Sequence, residues 1–219
     1  MSEIPQTKPT YQRDAWLSLV SVLLLEILFG LALWDTLNSI LPSVSRVMLG
    51  FGVGIVSYLL PIIYLSFRYG AIKASDFRLR GFDFVVLFIA FIVLVIVISL
   101  ISFHGPYKPY AYLGQDIFKL PGSEHLAALL CIFLIYPFLE ETFFRRYIFE
   151  IFRNKYKIPT AILLTVLTDT LLHITGGRGI EALVFIFFWQ IFFTLIYFKS
   201  RLGASVIIHC LTNISLYCG

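Results

Sequence analysis

The chain has 219 residues, 59% of them hydrophobic and only 14% charged, with a net charge of +4. An average soluble domain is about 45–50% apolar and about 25% charged, so a water-soluble fold of this length has nowhere to hide so much apolar surface. The 17 basic residues are spread over short loops and are not interleaved with aromatics in one patch. That excludes a nucleic-acid partner and leaves the charges to set membrane orientation.

In chain order, residues 1–14 are polar, with Lys8 and Arg13 ahead of the first apolar run. The run lacks a small-residue cleavage site near its end, so it reads as a retained anchor. Repeated runs of spanning length predict helices crossing the bilayer at Ala15 to Trp34, Val47 to Phe67, Phe84 to Phe103, His125 to about Phe149, Pro159 to about Thr175, Ile180 to Phe198 and Leu202 to Cys218. The third carries no charge. The fold class is therefore an all-α polytopic membrane protein of about seven transmembrane helices. It forms one membrane domain over residues 1–219, with three N-terminal spans (15–103) and a four-helix core (123–219). The connection from His104 to Glu124, rich in Tyr, Gly and Pro, reads as a belt on the interface. Cys131, Cys210 and Cys218 all lie in apolar segments and suggest neither a disulfide framework nor a metal site.

Alternate loops carry 13 Lys and Arg on one side against 4 on the other. The positive-inside rule then places the N-terminus and the loops at 68–80, 145–157 and 199–201 in the cytoplasm and the C-terminus outside.

The purely apolar part of the fourth span, His125 to Leu139, covers about 22 Å at about 1.5 Å per residue, short of a hydrocarbon core about 30 Å thick. The helix must continue, which brings Glu140, Glu141 and Arg145 to the membrane. The fifth span has the same shortage and draws in His173. An ionisable group at the bilayer centre costs at least about 2.5–3.5 kcal/mol, so such residues face the bundle interior and have a partner or a function. Besides those four, the candidates are Asp169 on the fifth span and His209 and Asn213 on the seventh.

Helical spacing sorts the glutamates. Glu141 and Arg145 are four apart and can pair on one face, while Glu140 is rotated about 100° away. A carboxylate in a dehydrated site has its ionised form disfavoured, which raises its basicity toward that of a general base. His209 and Asn213, also four apart, offer donors able to polarise a carbonyl or stabilise an oxyanion. Each has a plainer reading beside it: Glu141 with Arg145 as a structural pair, His173 as a satisfied core residue, Asn213 as helix-packing glue.

At these residues the chain resembles the CAAX-protease and bacteriocin-processing (CPBP, or Abi) family of intramembrane proteases. The family's first motif, two glutamates, three residues and an arginine, matches Glu140, Glu141 and Arg145. Its Phe-x-x-x-His motif matches at His173, with Asp169 in the aromatic position, and its His-x-x-x-Asn motif matches His209 and Asn213. The resemblance covers Ser123 to Gly219. It implies peptide-bond hydrolysis in the membrane, with Glu140 and His173 activating a water and His209 and Asn213 supporting the oxyanion. Glu141, Arg145 and Asp169 take supporting places, Asp169 by hydrogen-bonding the His173 imidazole or as the mark of an inactive member. The family label makes zinc a possible cofactor, with Glu140, His173 and His209 as ligands. The set lacks a His-x-x-x-His pair and a nearby cysteine, so a glutamate-activated water with no obligatory metal is favoured.

The expected function is thus an intramembrane endopeptidase with membrane lipid around it and a peptide or prenylated protein tail as substrate. Two other classes stand beside it. One is a non-catalytic bacteriocin-immunity or membrane scaffold protein. The other is a proton-coupled carrier relaying through Glu26, Glu140 and His173.

Overall fold

The computed structural model describes residues 10–28, 46–104, 120–173 and 180–218, and every regular element among them is helical. The helices are α1 (Thr10–Ile27), α2 (Arg46–Tyr69), the short α3 (Ala74–Phe77), α4 (Gly81–His104), α5 (Gly122–Arg153), α6 (Ile158–Leu172), α7 (Ile180–Lys199) and α8 (Leu202–Cys218). Seven of them fall on the seven expected spans. Four stretches, Val47–Tyr69, Gly81–Ser99, Gly122–Arg153 and Ala182–Lys199, are long and apolar enough to cross a membrane, while Ile158–Leu172 and Leu202–Tyr217 are shorter apolar helices. The protein is an all-α, multi-pass membrane protein. The end of the first span beyond residue 28, most of the expected interfacial belt (105–119), residues 174–175 of the fifth span and Gly219 lie outside the described residues.

The outer surface follows from the bilayer. Helix α4 is apolar nearly all round and turns Phe82, Phe84, Phe88, Ile89 and Ile96 outward, each more than half exposed. So large an apolar face is stable only against lipid. Its other side packs Ala90 and Leu94 on Trp189 and Phe193 of α7 and Ile208 of α8. The aromatic-rich α7 divides in the same way: Phe188 faces outward, whereas Phe193 is buried.

Helix α5 is the axis. It continues 14 residues past the apolar stretch that ends at Leu139, as the shortage of span required. It is not a uniform α-helix. Cys131–Ile135 and Glu141–Phe149 are π-helical, with α-helical turns before, between and after. All nine residues from Glu141 to Phe149 are buried. No face of that segment meets lipid, because α2, α6 and α8 surround it. Tyr58 of α2 meets Phe143 edge-on at 5.7 Å, and Ser66 bonds the Tyr147 hydroxyl at 2.6 Å. Gly54 of α2 makes room for the Tyr136 ring, since a Cβ there would stand 1.9 Å from the tyrosine oxygen. The Tyr136 hydroxyl donates to the Phe51 carbonyl at 3.1 Å.

Candidate active site

The site grows from the junction inside α5. Glu140 closes an α-helical turn and Glu141 opens the second π-helical segment, so the backbone twist changes between the tandem carboxylates. Single π turns inside α-helices recur at functional sites because they re-aim neighbouring side chains. Here they send the two glutamates into different surroundings.

Glu141 is sealed and fully engaged. Its Oε2 lies 3.2 Å from Arg145 Nε and accepts the Ser205 hydroxyl, and its Oε1 accepts from His209 Nδ1 at 2.9 Å. The expected Glu141–Arg145 pair is therefore present, but it is part of a larger network. Arg145 Nη1 reaches Asp169 Oδ2 at 2.5 Å, and Nη2 donates to the Gln190 side-chain oxygen. The Gln190 amide donates in turn to Asp169 Oδ1 at 3.1 Å. Arg145, Glu141 and Asp169 each have 0% side-chain exposure. An arginine serves here because its planar fork satisfies two carboxylates and an amide at once, and a buried charge is tolerable only when so paired.

This arrangement gives Asp169 a second contact besides the expected one to His173. Its carboxylate chiefly holds Arg145 and Gln190. The His173 imidazole bonds the backbone carbonyl of Asp169 instead, Nδ1 to O at 2.9 Å, with the carboxylate Oδ1 at 3.7 Å. A carbonyl one turn back is the local acceptor for a side chain at the end of α6, whereas the carboxylate is drawn away by the guanidinium.

His209 is fixed from three directions. Glu141 takes Nδ1, Phe193 stacks on the ring at 4.3 Å and 18°, and Nε2 faces Glu140 Oε2 at 3.8 Å. A carboxylate on one ring nitrogen orients the other, as outer partners do for functional histidines. Glu140, His173 and His209 keep 12%, 14% and 7% of their side-chain exposure. Glu140 and His209 are therefore themselves buried, but they are less completely sealed than Glu141, Arg145 and Asp169.

Asn213 lies one turn beyond His209, and its Nδ2 donates to the Ile132 carbonyl at 2.9 Å. The reason lies in the first π turn. The Tyr136 amide bonds Cys131, five residues back, so the next amide in that ladder would serve Ile132. Residue 137 is proline, which has no N–H. The π turn and Pro137 together orphan the Ile132 carbonyl, and Asn213 satisfies it. At least one Asn213 proton is therefore spent on the helix and not held for an oxyanion.

Among the described residues no three His, Cys, Asp or Glu side chains are grouped to hold a metal. Of the expected ligands, Glu140 Oε2 and His209 Nε2 face each other at 3.8 Å, and the other His209 nitrogen is taken by Glu141. Two donors without a third do not fit zinc. Cys131 and Cys210 are free thiols.

Residues 122–215 match the family model described as type II CAAX prenyl endopeptidase Rce1-like. This segment is similar to that family. The matched segment runs from the start of α5 into α8 and carries all seven residues of the expected site. No curated protein and no solved structure matches the chain.

Sequence reasoning passed over Gln190 and Ser205, the two neutral groups that complete the buried network. A glutamine and a serine in otherwise apolar spans were the available signal, since each needs a hydrogen-bond partner there. Tyr58 and Tyr136 were passed over as well. Both lie within electrostatic range of Glu26 and Glu140, which brings Glu26 of α1 toward the site.

Proposed function

We propose that the protein is an intramembrane endopeptidase in which Glu140 activates the attacking water. The observation that carries this reading is the division of the tandem carboxylates: Glu141 is sealed and fixed by Arg145, Ser205 and His209, while Glu140 keeps 12% side-chain exposure and sits 3.8 Å from His209. In the proposed step Glu140 takes a proton from water as the oxygen adds to the peptide carbonyl carbon. His209 Nε2, held by Glu141, sits where it can act on the substrate carbonyl or the water. The proton on Glu140 then passes to the departing amine as the C–N bond breaks, so that acid and base work fall to one carboxyl group. His173 joins the accessible side and helps to hold the water. Asn213 ties α8, the helix that bears His209, to α5.

The Rce1-like match supports a prenylated protein tail or another membrane-associated peptide as substrate. The test is cleavage of a prenylated peptide by the purified chain beside Glu140→Gln. The variant keeps size and hydrogen bonding but loses the basic oxygen, and should lose about 10²- to 10⁴-fold in rate, with melting unchanged. Chelation should leave the wild-type rate as it is. Equal rates for wild type and variant would refute the mechanism.

A further inference from the structure

At the end of the bundle that carries the basic loops, a cavity of about 260 Å³ opens between α3, the end of α5 and the turn joining α7 to α8. It is separate from the site above and independent of the peptidase reading. Its wall includes three guanidinium groups, Arg80, Arg146 and Arg201, and two carboxylates, Asp76 and Glu150. The carboxylates already have their counter-charges. Asp76 lies 3.4 Å from Arg146 Nε and accepts the Lys73 amide, while Glu150 lies 2.7 Å from Arg153 and accepts the Tyr197 hydroxyl. The nearby Asp83 uses one oxygen on the Arg80 amide and the other on the Ser200 hydroxyl.

Set against the Asp83 carboxylate, which is held by neutral donors alone, Arg80 and Arg201 leave an excess of one positive charge at this wall. Among the described residues the Arg80 side chain makes no ion pair, and Arg201 gives one nitrogen to the Ser75 carbonyl at 3.0 Å. The first turn of α8 begins at the same wall, at Leu202, and its dipole favours negative charge at that end. The wall is also built closely: a Cβ on Gly203 would stand 2.4 Å from the Phe77 carbonyl oxygen, so α3 lies directly on the start of α8. The volume is many times a water's share of about 30 Å³, which admits a phosphate group with a substituent.

We propose that this cavity binds a phosphate-bearing anion at the membrane surface, held by Arg80 and Arg201. A phospholipid headgroup and inorganic phosphate are the lipid and free forms of that chemistry. Guanidinium groups match phosphate oxygens in geometry and charge, and anionic headgroups are concentrated at the cytoplasmic leaflet, where basic loops reside.

The test is thermal melting of the full chain in non-ionic detergent, titrated separately with dioctanoyl phosphatidylglycerol, dioctanoyl phosphatidylcholine and sodium phosphate. Phosphatidylglycerol should stabilise saturably and more tightly than phosphatidylcholine, and Arg80→Gln and Arg201→Gln should each weaken its apparent affinity about tenfold. A matching, arginine-dependent response to sodium phosphate would support the site with the free anion as its source. A response to the lipid alone would support it with the headgroup. Arg80 is exposed and supports no packing, so Arg80→Gln keeps the test valid if Arg201→Gln melts early. Saturation that neither variant alters, or no saturable response to any probe, would overturn the proposal.

Discussion

The tie between Asn213 and Ile132 can be tested by giving the orphaned carbonyl a second donor. Replacing Asn213 by alanine leaves the Ile132 oxygen without its side-chain partner in a part of α5 that α8 covers. An unsatisfied buried carbonyl costs about 1–3 kcal/mol, and Asn213→Ala should destabilise by that amount. Pro137→Ala restores an N–H at the position whose absence created the orphan. If the π turn persists, the new amide reaches Ile132; if it relaxes to an α turn, the Tyr136 amide reaches Ile132 instead. Either way Asn213→Ala should cost under about 0.5 kcal/mol in the Pro137→Ala background, a coupling of roughly 0.5–2.5 kcal/mol, beyond the additivity expected of independent sites. Equilibrium unfolding in mixed micelles of the four chains measures the cycle without reference to any activity. An Asn213→Ala cost that is the same in the wild-type and Pro137→Ala backgrounds would refute the reasoning. Run beside the cleavage assay, the cycle also separates roles: a rate lost with Asn213→Ala and recovered in the double variant belongs to helix placement, whereas a rate not recovered places the amide on the substrate.

Arg145→Met should destabilise by about 3–5 kcal/mol, because it strands the Glu141 and Asp169 carboxylates together without their cation; a variant that melts like the wild type would contradict the buried network. Asp14, ahead of the first span, is opposed by burial but held below its usual carboxylate range by hydrogen bonds from Tyr69 and Arg68. Its contribution is therefore complete above the unfolded value near 3.8 and is lost as pH falls through the lower folded value. Melting between about pH 6 and pH 3 should show an acid limb that Asp14→Asn flattens, and an unaltered limb would count against the pairing. By the positive-inside rule, the 13 to 4 distribution of Lys and Arg should put the connection after α5, at 154–157, in the cytoplasm and the C-terminus outside; reporter fusions that put the C-terminus in the cytoplasm would reverse it.

The sequence alone determined the solvent, the helices and the chemical types in the site, because each depends on neighbours a few residues away. Hydropathy over some 20 residues selects a spanning helix, and the shortage of apolar length after His125 forced α5 onward through Glu140. The Glu141–Arg145 contact followed from a spacing of four. What only the tertiary structure decided are the partners that arrive from other helices. Asp169, Gln190 and Ser205 reach Arg145 and Glu141 across 24, 45 and 64 residues of chain, and no local period encodes which faces of α5, α6, α7 and α8 meet. The π-helical turns belong to the same class. Proline at 137 marks a missing amide in the sequence, but which carbonyl it orphans depends on whether the preceding turn closes on four residues or five, and which side chain answers it depends on where α8 packs. The separation of a fully sealed Glu141 from a less completely buried Glu140 is likewise a product of packing: the two residues are adjacent in the chain, and their different surroundings come from the helices that close around α5.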